Sequence, residues 1–298
     1  PPARVVLPRT PRAPPQLISL DAPARGRHPI AMQLPLVFLD GPWKLAMGLN
    51  ALDPADWLWR DDRHEAETAV RHRLVRERPG EVMAALPGSE RAIEELVTLV
   101  HAHLELPRPA SPTLADLASL AQEDFCVMQA RSDQRYVLTA ALLCFPAHWR
   151  LAEKLGRPMT EIHAPVPGFA DRLDAAAERF FRTLTPARPV SRANWSIVES
   201  PTLFHPQPRE PAPGLTAENA GDLLWLRVER QTLRRLPQSG AIIFTIRTLV
   251  RRLGEIAADP AIASAMAARI REMEPGMARY KGMSVLRGPL LAWLDGVR

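Results

Sequence analysis

The chain has 298 residues, 46% of them apolar, with 38 Lys and Arg against 33 Asp and Glu for a net charge of +5. That composition supports one large domain, or a core with extensions, and no stretch approaches the roughly 20 apolar residues of a helical membrane span. The arginines are scattered rather than gathered in a stripe, which argues against nucleic acid, and two cysteines make no disulfide framework, which suits a reducing cytoplasm.

In chain order, residues 1–33 are a Pro-rich arm expected to be mobile, and their opening PPARVVLPRTPRAPPQ lacks a secretory apolar run. Residues 34–113 form an N-terminal helical region expected to pack on the core. Asp53 followed by Pro54 is a helix-start pair for the charged stretch 54–78, and Ser89 opens a second helix over 89–104. The Pro-rich run 107–113 marks the boundary to a core domain over 114–253. A short helix at 114–120 precedes strands Asp124–Gln129 and Tyr136–Phe145, joined by a polar turn. Helices follow at 147–155, with Gly156 as C-cap, and at 169–184. Strand 194–199 then leads, through a Pro-rich loop, to the stretch 222–249. Helices at 260–273, 275–281 and 284–295 fill a C-terminal part, 254–298.

Residues 222–249 carry the strongest pattern. Two alternating runs flank Leu236-Pro237-Gln238-Ser239-Gly240, which is a β-hairpin signature. Leu224, Leu226, Val228, Arg230 and Thr232 share one face of the first arm; Trp225, Arg227, Glu229, Gln231 and Leu233 share the other. Arg230 stands in line with three aliphatics, where a buried guanidinium needs a carboxylate, an anion or a polarised ligand. An exposed strand end or a bulge would also accommodate it. The order strand, strand, helices, strand, strand, strand predicts an α+β fold, a PAS-like five-stranded antiparallel sheet with inserted helices that enclose a ligand pocket.

No GxGxxG, P-loop, HExxH, GxSxG or CxxC signature is present. Cys126 and Cys144 lie in apolar strands and read as buried, inert thiols. Among eight histidines, His163 stands apart because it precedes Ala-Pro-Val-Pro-Gly, a segment whose φ angles are half fixed. An imidazole held there suits an axial iron ligand, although a helix-end or core histidine is the more ordinary reading. Asp124 is a candidate carboxylate partner for Arg230. Lys154 could meet haem propionates and Trp195 could cover a haem edge, while a solvated lysine and a core tryptophan are the plainer alternatives.

Five stretches, LDPADWLWRDDR, QEDFCVMQ, LCFPAHWRLAEKLGRPMTEIHAPVPG, RANWSIVE and LWLRVERQTLRRLPQSGAIIFTIRT, closely resemble the haem-dependent oxidative N-demethylase family, in its haem-carrying alpha subunit. The resemblance runs from about Leu34 to Leu253, and IHAPVPG and the ERQTLRRLP hairpin are its most specific parts. It implies a PAS-like fold holding haem b, with the axial ligand falling on His163. It also implies a distal site where a small secondary amine of the dimethylamine kind is oxidised with O2. Electrons would come from a separate NADPH-dependent reductase carrying flavin and a 2Fe-2S cluster. Arg230 and Asp124 are placed in that distal site by combining the alternation with the motif. Where family members often carry a His after the FTIRT run, this chain reads Thr248-Leu249-Val250, which bears on substrate identity. Two competing readings are a haem-binding PAS sensor of gas or redox state without turnover, and a haem-free binding protein.

Overall fold

The computed structural model describes residues 34–39, 41–133, 135–209 and 213–297. The predicted arm at 1–33 lies outside the described residues.

The central hairpin forms as its alternation requires. Its arms are β6 (Trp225–Arg235) and β7 (Ile242–Arg252), paired in register from Trp225–Arg252 to Arg235–Ile242. The turn closes through a Leu236–Ala241 hydrogen bond of 2.8 Å, with Gly240 at φ +71°, a backbone that glycine adopts without strain. Strand β3 (Asp124–Ala130) pairs with β7 on one side and with β4 (Tyr136–Leu142) on the other. Strand β5 (Val190–Val198) pairs with β6. These five strands lie side by side in the order β5-β6-β7-β3-β4.

The sheet is larger than five strands. β1 (Asn50–Ala51) joins β5 at one edge and β2 (Met83–Ala85) joins β4 at the other, giving a seven-stranded, wholly antiparallel sheet. Strands of two and three residues are too short to show alternation. They cover hydrogen-bonding edges that would otherwise be open. The second predicted strand stops at Leu142 rather than Phe145, and the strand expected at 194–199 begins at Val190.

Helices cover both faces. Phe125, Val127 and Ile243 point to a core shared with the N-terminal helices His64–Glu77 and Glu90–His103. Leu226, Val228, Trp195 and Leu249 point the same way, under the C-terminal helices Pro260–Glu272 and Met283–Gly296. The opposite face carries Cys126, Met128, Leu233, Ile242 and Ile246, covered by Phe181, Leu184, Met159 and Ile162 of the helices inserted before β5. Cys126 and Cys144 are both buried and unbridged, and burial pushes each thiol up to about 12.

Two local expectations shift. Asp53 caps a single turn, Pro54–Asp56, by accepting from the amide of Ala55, and the long helix begins only at His64. Ser89 turns its hydroxyl back to the carbonyl of Leu86 instead of forward into its helix.

Candidate functional site

His163 caps the short helix Met159–Ile162. Its Nδ1 lies 3.0 Å from the carbonyl of Met159, and a carbonyl only accepts, so Nδ1 carries the proton and Nε2 keeps its lone pair. The ring stacks on Phe169 at 4.4 Å and 12°. Burial pushes its pKa down to about 4, the Met159 carbonyl works against that, and the Arg192 and Lys154 cations add to it. At neutral pH the imidazole is therefore uncharged. Lys154 fastens the same turn by donating to the carbonyl of Ile162 at 2.7 Å. The following loop is held by Val166 N to His163 O at 2.8 Å and turns at Gly168, φ +77°. A Cβ at Gly168 would sit 3.1 Å from Arg172 Cδ, so the turn is closely packed as well as left-handed.

The sheet face toward the inserted helices, apolar on β3 and β7, is polar along part of β5 and β6. Arg192 and Asn194 of β5 stand across from Gln231 and Glu229 of β6. Gln231 Nε2 donates to Glu229 at 3.1 Å and Arg227 Nε donates to the same carboxylate at 3.2 Å. The rest of the Arg227 guanidinium donates to the carbonyl of Phe145 at 2.6 Å and to Thr248 Oγ1 at 3.2 Å. Lys281, from the turn between the last two helices, donates to Asn194 Oδ1 at 3.1 Å and to the carbonyl of Trp195. Burial draws its ammonium down to about 8 against the pull of Glu229.

Three sequence-predicted placements change. Asp124 and Arg230 do not pair. Asp124 is fully buried, contacts Arg71 at 2.5 Å and accepts from the amides of Cys144 (2.7 Å) and Phe145 (2.9 Å). Arg230 donates to the carbonyls of Trp57 (3.1 Å) and Asp56 and lies 4.2 Å over the ring of Trp59. Arg230 thus faces the N-terminal region, on the opposite side of the sheet from the Arg192–Gln231 row and His163. The reason is the alternation itself: Arg230 shares a face with Val228, so residue 229 or 231, not 230, looks toward the inserted helices. Trp195 also lies on the far face, edge-on to Phe38 at 5.3 Å, within the core under the C-terminal helices.

Sequence reasoning passed over Arg192, Glu229, Gln231 and Lys281. A signal existed in β6: Arg227, Glu229 and Gln231 form an unbroken polar row on an inner strand, where both faces should be covered. No pattern in the C-terminal helices could have brought Lys281 to β5.

The family model described as "Haem-dependent oxidative N-demethylase, alpha subunit-like" matches residues 48–111 and 104–291. The chain belongs to this family. Membership brings His163, Glu229 and Lys281 within one matched segment, and the family's description is that of an enzyme subunit, alpha subunit-like. The family is haem-dependent, and the residues around His163 fit that group. A neutral imidazole offers an uncommitted Nε2, and the Nε of Arg192 is buried without a partner. Among the described residues no cluster of three or more His, Cys, Asp or Glu could hold a metal ion, and no helix is long and apolar enough to cross a membrane. A cavity of about 80 Å³ lined by Pro146, Trp149, Leu151 and Pro206, and an open hollow at Glu65, Thr68 and His72, lie at other residues.

Proposed function

We propose that this chain is the haem-carrying subunit of an oxidative N-demethylase that removes a methyl group from a small secondary amine such as dimethylamine. The overall change consumes O2, two electrons and two protons and gives the primary amine, formaldehyde and water. The electrons would come from a separate NADPH-dependent reductase with flavin and a 2Fe-2S cluster, in the cytoplasm that two free, buried cysteines suit.

The observation that carries this reading is the locked imidazole of His163 beneath a polar row of β5 and β6, in a chain of this family. Haem, when bound, supplies the iron at which O2 is reduced, and His163 Nε2 is the side-chain atom that would hold it. Lys154 and Phe169 position the ring, one through the Ile162 carbonyl and the other by stacking. Glu229 takes the place first given to Asp124. Its carboxylate, held between Arg227 and Gln231, can accept the N–H of a secondary ammonium and take its proton. The order β5-β6-β7-β3-β4 supports a PAS-like sheet within the seven strands, and it equally suits a haem sensor without turnover.

The absorption spectrum of the purified protein is the test. A Soret band in the wild type that disappears in His163→Ala is expected, with formaldehyde produced from dimethylamine once a reductase is supplied. A colourless, stable protein from haem-replete cells would sink both haem readings. Tight O2 or CO binding without formaldehyde would favour the sensor.

A further inference from the structure

We propose that Arg192 and Lys281 form a paired cationic seat for the two propionate carboxylates of the haem, at the β5 end of the site. The inference rests on the haem reading above and adds the residues that would orient the ring's polar edge.

The polar row contains three cations, Arg192, Arg227 and Lys281, around one carboxylate, Glu229. Arg227 is committed, since its donors go to Glu229, Phe145 O and Thr248. Glu229 is engaged by Arg227 and Gln231 and makes no salt bridge with Arg192 or Lys281. Arg209, the other cation that acts on Lys281, is paired with Glu199 at 2.9 Å. What remains is two cations with no carboxylate in salt-bridge reach among the described residues. Arg192 has a buried Nε without any partner, and Lys281 donates to the neutral oxygens of Asn194 and Trp195 and lies 5.6 Å from the centre of the Trp195 ring, with no anion among these contacts. A half-buried charge without a counter-ion in contact is unfavourable, so two of them side by side mark a place suited to anions. They are neighbours by construction. Arg192 and Asn194 are two residues apart on one strand face, and Lys281 is tied to Asn194.

Two singly charged carboxylates on short flexible arms match two such cations in number and sign. Lys154, the cation first expected there, is instead bound to the Ile162 carbonyl. Lys281 reaches the strand because Gly282, φ +73°, turns the chain there, where a Cβ would fall 2.3 Å from Arg209 Cδ. The C-terminal helices thereby become part of the cofactor site instead of an appendage.

The experiment compares haem with its dimethyl ester, in which both propionates are neutral, by Soret titration of the full chain expressed without haem. Wild type should bind the diester at least about ten-fold more weakly than haem, the worth of one charge-assisted contact. In Arg192→Met with Lys281→Met that preference should collapse toward one, and Arg192→Lys should retain part of it. Equal binding of haem and diester by the wild type would overturn the proposal. So would a double variant that weakens both ligands alike, because that reports damage to the pocket; circular dichroism melting checks that the variants fold. A wild type that binds neither porphyrin would sink the haem reading itself, a result distinct from binding both equally.

Discussion

Asp124 and Arg71 have fully enclosed side chains, and their contact is the anchor between strand β3 and the helix His64–Glu77. The same carboxylate also takes the amides of Cys144 and Phe145, so three elements meet on one group. Asp124→Ala would strand a buried guanidinium and should cost about 3–5 kcal/mol in urea unfolding; a loss under about 1 kcal/mol would return Asp124 to consideration as a site residue instead of a structural one. His148 is a second residue under tension. It holds φ +61°, contacts the ring of His205 at 4.6 Å, and its Nε2 is buried without a partner. Burial and the Arg209 cation push its pKa down from 6.5 to about 4. The unfolded chain therefore takes up this proton first as pH falls, so stability is intact above about 6.5 and declines toward 4. His148→Asn, which tolerates the left-handed backbone, should flatten that decline, by about 1 kcal/mol once solvent screening of this partly exposed ring is allowed for, read from urea midpoints across pH 4–7. Unchanged pH dependence in the variant would contradict it.

At the scale of elements, small residues decide how closely the C-terminal helices dock. Gly221, in the turn Ala220–Leu223 before β6, faces Trp293 of the last helix so tightly that a Cβ would fall 2.3 Å from Cζ2 of the indole. Gly254, just after β7, would put a Cβ 3.0 Å from the carbonyl of Gly221. An indole ring cannot bend away as a lysine can, so Gly221→Ala should force the last helix to shift and cost about 1–3 kcal/mol by thermal or urea unfolding. The companion change Gly221→Ala with Trp293→Leu should recover part of that loss. Full stability in the single variant would show that the helix slides freely. These helices deliver Lys281, so the shift should also lower haem affinity, by the same Soret titration.

Across the whole molecule, one ionic network joins the N-terminal helices to the sheet. Arg247 of β7 contacts Asp61 at 2.7 Å and Glu67 at 2.8 Å, and Gln122 bridges the same two carboxylates at 2.8 Å each. Glu95 meanwhile takes the amides of Gln238 and Ser239 in the hairpin turn, both at 2.7 Å. Arg247→Met leaves two acids facing each other and should loosen this layer, so limited proteolysis should cut first within the helix His64–Glu77, whose Glu67, Thr68, Val70, Arg71 and Leu74 are buried in the wild type. Simultaneous cutting throughout the chain would mean instead that the whole sheet had unfolded.

Much of this was written in local pattern. The alternation of 224–235 and 242–252 required a hairpin. The Pro-Val-Pro run after His163 required a stiff loop, and the 3.6-residue stripe of Ile93, Leu96, Val97 and Val100 required a helix. Each depends on neighbours within a turn or a strand, which is why a single sequence can state it. Partnership between distant groups does not have that property. Asp124 chose Arg71 over Arg230, and Arg230 chose the carbonyls of Asp56 and Trp57, because the strand order and the docking of the N-terminal helices put those atoms within reach. By itself the sequence determined the five longer strands, the longer helices and the family motifs, and it singled out His163 as the histidine to examine. Only the tertiary structure decided which face of β6 looks toward that histidine, because both faces of an inner strand are covered and periodicity is silent on which covering layer lies where.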